Sequence, residues 1–192
     1  RSLPPRFPAQ TLAPAFPRRP VPSRSAAPTV TLEVMQPQPH RRRGASEPEP
    51  VRLVTERLVL DMPHPGEAQK VIDYFWRNRD HLEPWEPPRP PGFYSRVFWS
   101  ARLDLNRREH AEDRSMRLFL RPRHDQDLVI GSCSFNHIMR GAFQACHLGY
   151  GIDGEHEGRG LMAEGLRAAT DHAFRHLQLH RIQANYQPGN DR

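Results

Sequence analysis

A strand that runs into a glycine-rich loop, and from there at once into an amphipathic helix, constrains this 192-residue chain more than any other feature. The loop is Gly154-Glu155-His156-Glu157-Gly158-Arg159-Gly160, followed by Leu161-Met162-Ala163-Glu164. The segment before it, Ala145–Ile152, reads as a strand. The first N–H groups of a helix have no intrahelical partner and lie at the positive end of its dipole, so this junction suits an anion such as a phosphate. Gly158 and Gly160 lack a Cβ, which lets a bulky anion approach the backbone and permits positive φ. No Gly-Lys-Ser/Thr follows, so this is not a Walker loop, and the Gly-x-Gly-x-x-Gly dinucleotide pattern is absent.

Patterning along the rest of the chain supplies the frame. Residues 1–50 hold 12 of the 21 prolines and eight arginines against three acidic residues. With little apolar periodicity they cannot bury enough surface to offset chain entropy, and they are expected to be a disordered tail preceding one domain over residues 51–192. The tail carries most of the chain's formal charge of +6, so the basic composition does not make the domain a DNA-binding module. The cluster His40-Arg41-Arg42-Arg43 reads as solvated tail in preference to an RNA contact. The first methionine is Met35, which is the expected translation start.

Thr55–Leu60 reads as a first strand. Glu67–Asp80 has helical spacing, with Ala68, Val71, Ile72, Phe75 and Trp76 on the apolar side. Leu82-Glu83-Pro84-Trp85 and the prolines after it form a loop in which Trp85 is expected in the core in preference to a peptide clamp. Ser95–Asp113 reads as a second helix with Phe98, Ala101 and Leu105 inward. Met116–Leu120 is a strand, and Leu128–His137 with Phe143–Ile152 makes an antiparallel hairpin. Gly149 and Gly151, flanking Tyr150, suit a β-bulge. Cys133 and Cys146 fall on the two hairpin strands near enough to face one another, and free thiols are expected because the compartment is taken to be reducing. Leu161–Leu177 is a helix with Met162, Leu166, Ala169, Ala173 and Leu177 in its stripe. His180–Tyr186 is a last strand.

The loop window Glu155–Gly160 resembles the acyl-CoA pyrophosphate loop of the GNAT N-acetyltransferases, written Gln/Arg-x-x-Gly-x-Gly/Ala; Glu155 departs from the first position. Gly131–Asn136, Arg140-Gly141-Ala142-Phe143, Leu148-Gly149-Tyr150, Gly158–Met162 and His180–Tyr186 resemble the Rim-type, ribosomal-protein-alanine branch of that superfamily. The resemblance runs from about Val51 to the last residue. It implies an α/β fold, a GNAT-like mixed and mainly antiparallel sheet flanked by helices, and acetyl-CoA as cofactor. It also implies a further helix and two strands after Arg192, so that the chain is incomplete at its C-terminus and nearly inactive as it stands. By resemblance, Tyr150, Gly151, Ile152, Glu157, Gly158, Arg159, Gly160, Leu161, Asn185 and Asn190 bind the cofactor.

Transfer of an acetyl group from a thioester to an amine requires a held thioester, a donor for its oxyanion, and loss of a proton from the ammonium. The glycine loop meets the first need. The backbone of Tyr150, Gly151 or Ile152 meets the second. Glu164, His147 and Asn136 through water stand open as bases, and Glu164 reads more readily as a cap on the helix dipole. Glu164, Tyr150 and Asn190 are the catalytic candidates. His172 and His176 lie one turn apart, but no metalloprotease glutamate accompanies them, and no metal is expected. The leading expectation is a cytoplasmic N-acetyltransferase acting on the N-terminal alanine of a ribosomal protein, with contact to the ribosome possible. A small amine or antibiotic is the alternative acceptor, and a non-catalytic RNA-associated protein the alternative class. No apolar run is long enough to span a membrane.

Overall fold

The computed structural model describes residues 50–185. The expected tail, the arginine cluster at 41–43, Tyr186 and Asn190 lie outside the described residues. Six strands form one sheet in sequence order: β1 (Arg52–Val54), β2 (Leu58–Asp61), β3 (Met116–Pro122), β4 (Gly131–Met139), β5 (Ala145–Ile152) and β6 (Arg181–Ala184). Every pairing is antiparallel except the last, in which β5 and β6 run parallel. The helices are α1 (Ala68–Arg77), α2 (Arg79–Leu82), α3 (Arg96–Ala111) and α4 (Leu161–Arg175). The expected α/β fold is therefore present. The expected first strand is in fact a hairpin: β1 precedes it and turns at Thr55, whose N–H donates to Leu58 O at 2.9 Å.

Local chemistry sets the helix starts. His64 and Glu67 form a reciprocal capping box, with Pro65 at the first helical position, ahead of α1. Ser95 Oγ accepts from Phe98 N at 3.2 Å and caps α3. These two helices share one core, in which Val71, Tyr74, Phe75, Trp99, Leu103 and Phe119 are buried. Phe75 and Trp99 stack with centroids 4.9 Å apart. The face expected for α3 needs correction. Trp99, Leu103 and Asn106 are its buried residues, whereas Ala101 is exposed. Adjacent aromatic residues leave the phase of the pattern ambiguous, and the stack on Phe75 decides it. Trp76 and Trp85 also sit outside the core, 60% and 40% exposed.

The opposite sheet face packs on α4, with Leu58, Leu60, Leu118, Leu120, Cys133 and Phe135 buried there. The buried residues of α4 are small: Gly165, Ala169 and Ala173. A Cβ on Gly165 would lie 2.8 Å from Leu120 Cδ2, so the helix sits close on the sheet because glycine is there. Met162, Leu166 and Leu177 flank this stripe, partly buried.

Two further expectations about the hairpin are corrected by its register. Cys133 lies opposite Tyr150, not Cys146, and both thiols are buried and free. The pairing of β4 with β5 is continuous from Gly131↔Ile152 to Asn136↔His147, so Gly149 and Gly151 form no bulge. The irregularity falls instead between Asn136 and Met139, where His137 has φ +53°.

Candidate active site

The site is built at the C-terminal end of β5. Parallel pairing with β6 ends at Leu148↔Ala184, while β5 continues to Ile152. Beyond Leu148 the β6-facing side of β5 has no strand partner among the described residues. Asp153 N donates to Ile130 O at 2.8 Å, which fixes the phase of the antiparallel ladder. With alternation along the strand, Gly149 and Gly151 turn their backbone groups to β4, and Tyr150 and Ile152 turn theirs to the open edge. Of the three residues considered for the oxyanion donor, Tyr150 and Ile152 thus present an N–H and Gly151 does not. Gly151 leaves space on the other side of the sheet, where a Cβ would lie 3.4 Å from Leu82 Cδ2 and 3.7 Å from Tyr74 Oη.

Asp153 ends the strand and begins the loop. Its carboxylate is buried and accepts from Arg77 Nε at 2.8 Å, Asn78 Nδ2 at 2.9 Å and Glu155 N at 2.9 Å. Burial pushes this carboxyl up, but the bonds from Asn78, Arg77, Glu155 N and His156 outweigh it and hold it below its ordinary value. Asn78 Oδ1 accepts from Gly154 N at 3.0 Å, so the end of α1 grips the loop from two sides. A single 3₁₀ turn, Gly154–His156, follows. Glu157 Oε1 lies 3.3 Å from His81 Nε2.

Gly158 and Gly160 both adopt the left-handed conformation, with φ of +69° and +73°. Gly158, Arg159 and Gly160 are exposed, and a Cβ on Gly158 would meet nothing within 4 Å. Gly160 is the N-cap of the 15-residue α4, and no side chain caps that end. The leading N–H groups of α4 therefore remain available at an open, glycine-lined surface, the arrangement that holds a pyrophosphate. The residues present fit acyl-CoA: a backbone cradle at Gly158–Leu161 and an open strand edge at Tyr150–Ile152.

Glu164, on the first turn of α4, is held by groups from the β1–β2 turn. Its Oε1 accepts from Thr55 Oγ1 at 2.6 Å and Arg57 N at 2.8 Å, and its Oε2 accepts from Arg57 Nε at 2.6 Å. Burial raises the carboxyl, but these partners together hold it below the usual carboxylate range. A carboxylate so engaged is a poor proton acceptor, and its geometry is that of a tie between α4 and the β1–β2 turn. Thr55 and Arg57 are residues that pattern reading assigned to a strand only. Asn136 and His147 face each other in the β4–β5 register, on the sheet face toward Tyr74 and Leu82. Asn185 is exposed just past β6. Arg140 proves structural: it pairs with Asp113 and donates to Gln144 Oε1 at 3.0 Å and to the Leu177 carbonyl.

A sheet opened between its parallel strands, with an anion cradle beside the opening, defines an acyl-CoA-dependent acyltransferase. Residues 57–192 match the acetyltransferase (GNAT) domain family, and the chain belongs to that family. It is an N-acetyltransferase, and acetyl-CoA is its acetyl donor. The chain is similar to the [ribosomal protein uS5]-alanine N-acetyltransferase of Escherichia coli (strain K12), with 39% identity over 142 residues, 74% of this chain and 73% of the relative. It is 34% identical over 124 residues to the probable N-acetyltransferase YjcK of Bacillus subtilis (strain 168), covering 65% of this chain and 68% of the relative. Among solved structures, the ribosomal-protein-S5-alanine acetyltransferase from Vibrio fischeri superposes with a TM-score of 0.69 at 32% identity, covering 73% of this chain and 76% of that one. Among the described residues no helix is long and apolar enough to cross a membrane.

Proposed function

We propose that the protein transfers the acetyl group of acetyl-CoA to the α-amine of an N-terminal alanine, on a ribosomal protein of the uS5 kind. The observation that carries this reading is the 39% identity to the Escherichia coli enzyme named for that acceptor, sustained over 142 residues. The donor-side geometry supports it. Gly158–Leu161 would hold the pyrophosphate, and acetyl-CoA supplies an activated acyl group when bound. Tyr150 and Ile152 offer backbone N–H groups along the edge where the acyl carbonyl would lie, the placement that stabilises a developing oxyanion.

The acceptor side is the face of β4 and β5 toward α1 and α2. An N-terminal amine has a pKa near 8, so a substantial fraction is already neutral at pH 7–8 and little basicity is required of the protein. With Glu164 engaged elsewhere, Asn136 and His147, which share their sheet face with Ser132 and Ser134, are the groups assigned to relay the departing proton through water. The exposed Trp85 stands in the loop after α2, where it suits a clamp on the incoming chain better than a core plug.

The test is acetylation of short peptides followed by mass spectrometry, with matched alanine-, serine- and proline-initiated sequences and an aminoglycoside as acceptors. Label on the alanine peptide alone, at its α-amine, supports the reading. Faster acetylation of the aminoglycoside than of any peptide overturns it in favour of a small-molecule acceptor.

A further inference from the structure

The β1–β2 turn reaches the glycine loop through a set of bonds that no feature of the loop itself calls for. Thr55 Oγ1 accepts from Leu58 N at 3.0 Å and donates to Glu164 Oε1 at 2.6 Å, so one hydroxyl joins the turn to the first turn of α4. Arg57 adds three bonds. Its N–H and Nε donate to the two oxygens of Glu164, and its Nη1 donates to the carbonyl of Arg159 at 3.0 Å. That carbonyl belongs to the peptide between Arg159 and Gly160, the two residues before α4. Its direction determines which way the following N–H points. Glu164 N in turn donates to Gly160 O at 3.0 Å, closing the first turn of the helix over the same glycine.

The remaining nitrogen, Arg57 Nη2, lies 3.7 Å from the position a Cβ on Gly160 would take. It has no hydrogen-bond partner among the described residues, and the side chain is 47% exposed. It therefore sits at the lip of the cradle with donor capacity to spare. The loop needs it. Residues 154–160 carry two carboxylates, Glu155 and Glu157, against one arginine, Arg159. A pyrophosphate approaching such a loop gains from a guanidinium supplied by another segment, and a planar fork matches phosphate oxygens well.

We propose that Arg57 is a positioning and phosphate-contacting residue for the acetyl-CoA pyrophosphate: through Glu164 and the Arg159 carbonyl it holds the glycine loop in its binding form, and through Nη2 it donates to a phosphate oxygen. This rests on the acyl-CoA reading of the loop. Glu164 acts at one remove, by fixing Arg57.

The experiment compares wild type, Arg57→Ala, Arg57→Gln and Glu164→Gln on the full chain. Calorimetry reads CoA binding, NMR titration reads pantetheine, which lacks the phosphates, and hydrogen exchange reads the amides of residues 158–161 without ligand. Arg57→Ala is expected to weaken CoA by roughly ten-fold or more and leave pantetheine unchanged. Arg57→Gln and Glu164→Gln are expected to speed exchange in the loop. Equal loss of CoA and pantetheine together with a lower melting temperature makes the role structural only and overturns the proposal. Unchanged CoA affinity and unchanged loop exchange overturn it as well. If Arg57→Ala does not fold, Arg57→Gln, which keeps the side-chain length, decides by the same two ligands. Failure of the wild type itself to bind CoA would count against the acyl-CoA reading of the loop, not against Arg57 in particular.

Discussion

Asn78 ties the end of α1 to Asp153, the residue at which β5 becomes the glycine loop: its Nδ2 donates to Asp153 Oδ2 at 2.9 Å while its Oδ1 accepts from Gly154 N at 3.0 Å. A side chain from one layer thus fixes both the residue that follows β5 and the first amide of the 3₁₀ turn. Loss of the Asp153 acceptor strands Arg77 and Asn78 donors at a buried position. Asp153→Ala is expected to destabilise the domain by roughly 1–3 kcal/mol, with Asp153→Asn milder. Urea denaturation checks the stability, and CoA calorimetry should show weaker binding because the loop loses its anchor.

The same carboxylate gives the protein an acid limit. Its folded pKa is lowered from 3.8, so its contribution is fully present above the unfolded value and is lost as pH falls through the folded value. Glu164, lowered from 4.5, acts in the same direction. Melting temperature should therefore fall below about pH 4, and Asp153→Asn should flatten that part of the profile. A wild-type and variant profile of the same slope between pH 5 and pH 3 would contradict the assignment.

Gly158 and Gly160 hold φ of +69° and +73°, which an L side chain adopts at a cost of about 1–2 kcal/mol. Gly158→Asp adds a carboxylate at the proposed phosphate cradle, and Gly160→Val adds a branched side chain beside Arg57. Both should abolish measurable CoA binding by calorimetry while the circular dichroism spectrum keeps its native form. Retained CoA affinity would place the pyrophosphate elsewhere.

Gly165 is a packing glycine, with helical φ. A Cβ there meets Leu120 Cδ2 at 2.8 Å and Leu58 Cδ1 at 3.5 Å. Gly165→Val should cost about 1–3 kcal/mol through overpacking, outweighing its better helix propensity. The midpoint of urea unfolding reads this directly, and an unchanged midpoint would show that α4 can shift off the sheet freely.

Cys133 is buried with its thiol pushed up to about 12 by loss of solvent, and burial also raises Cys146. Neither should react with an aromatic disulfide reagent at pH 8 in the native protein, and both should react in guanidinium. Rapid native labelling of either would mean that the sheet opens at β4 or β5.

Much of this fold was legible along the chain because its signals are local. The helix read over Ser95–Asp113, the hairpin read over Leu128–His137 and Phe143–Ile152, and the paired glycines before Leu161 each show within a short stretch of chain. Phase and partnership were not legible. The inward face of α3 turned on whether Phe98 or Trp99 met Phe75, and the register shift fell between Asn136 and Met139 in place of Gly149 because strand register depends on the whole β4–β5 ladder.

The sequence by itself determined that a strand, a glycine loop and a helix would follow one another, since dihedral freedom at Gly158 and Gly160 and apolar spacing in α4 are properties of neighbouring residues. Only the tertiary structure decided what stands around that site. Thr55 and Glu164 are 109 residues apart, and their hydrogen bond ties the start of α4 to the β1–β2 turn. A carboxylate on the first turn of a helix serves as cap, base or anchor according to the groups within about 3 Å of it, and those groups are delivered by the folding of the sheet, not by the chain on either side.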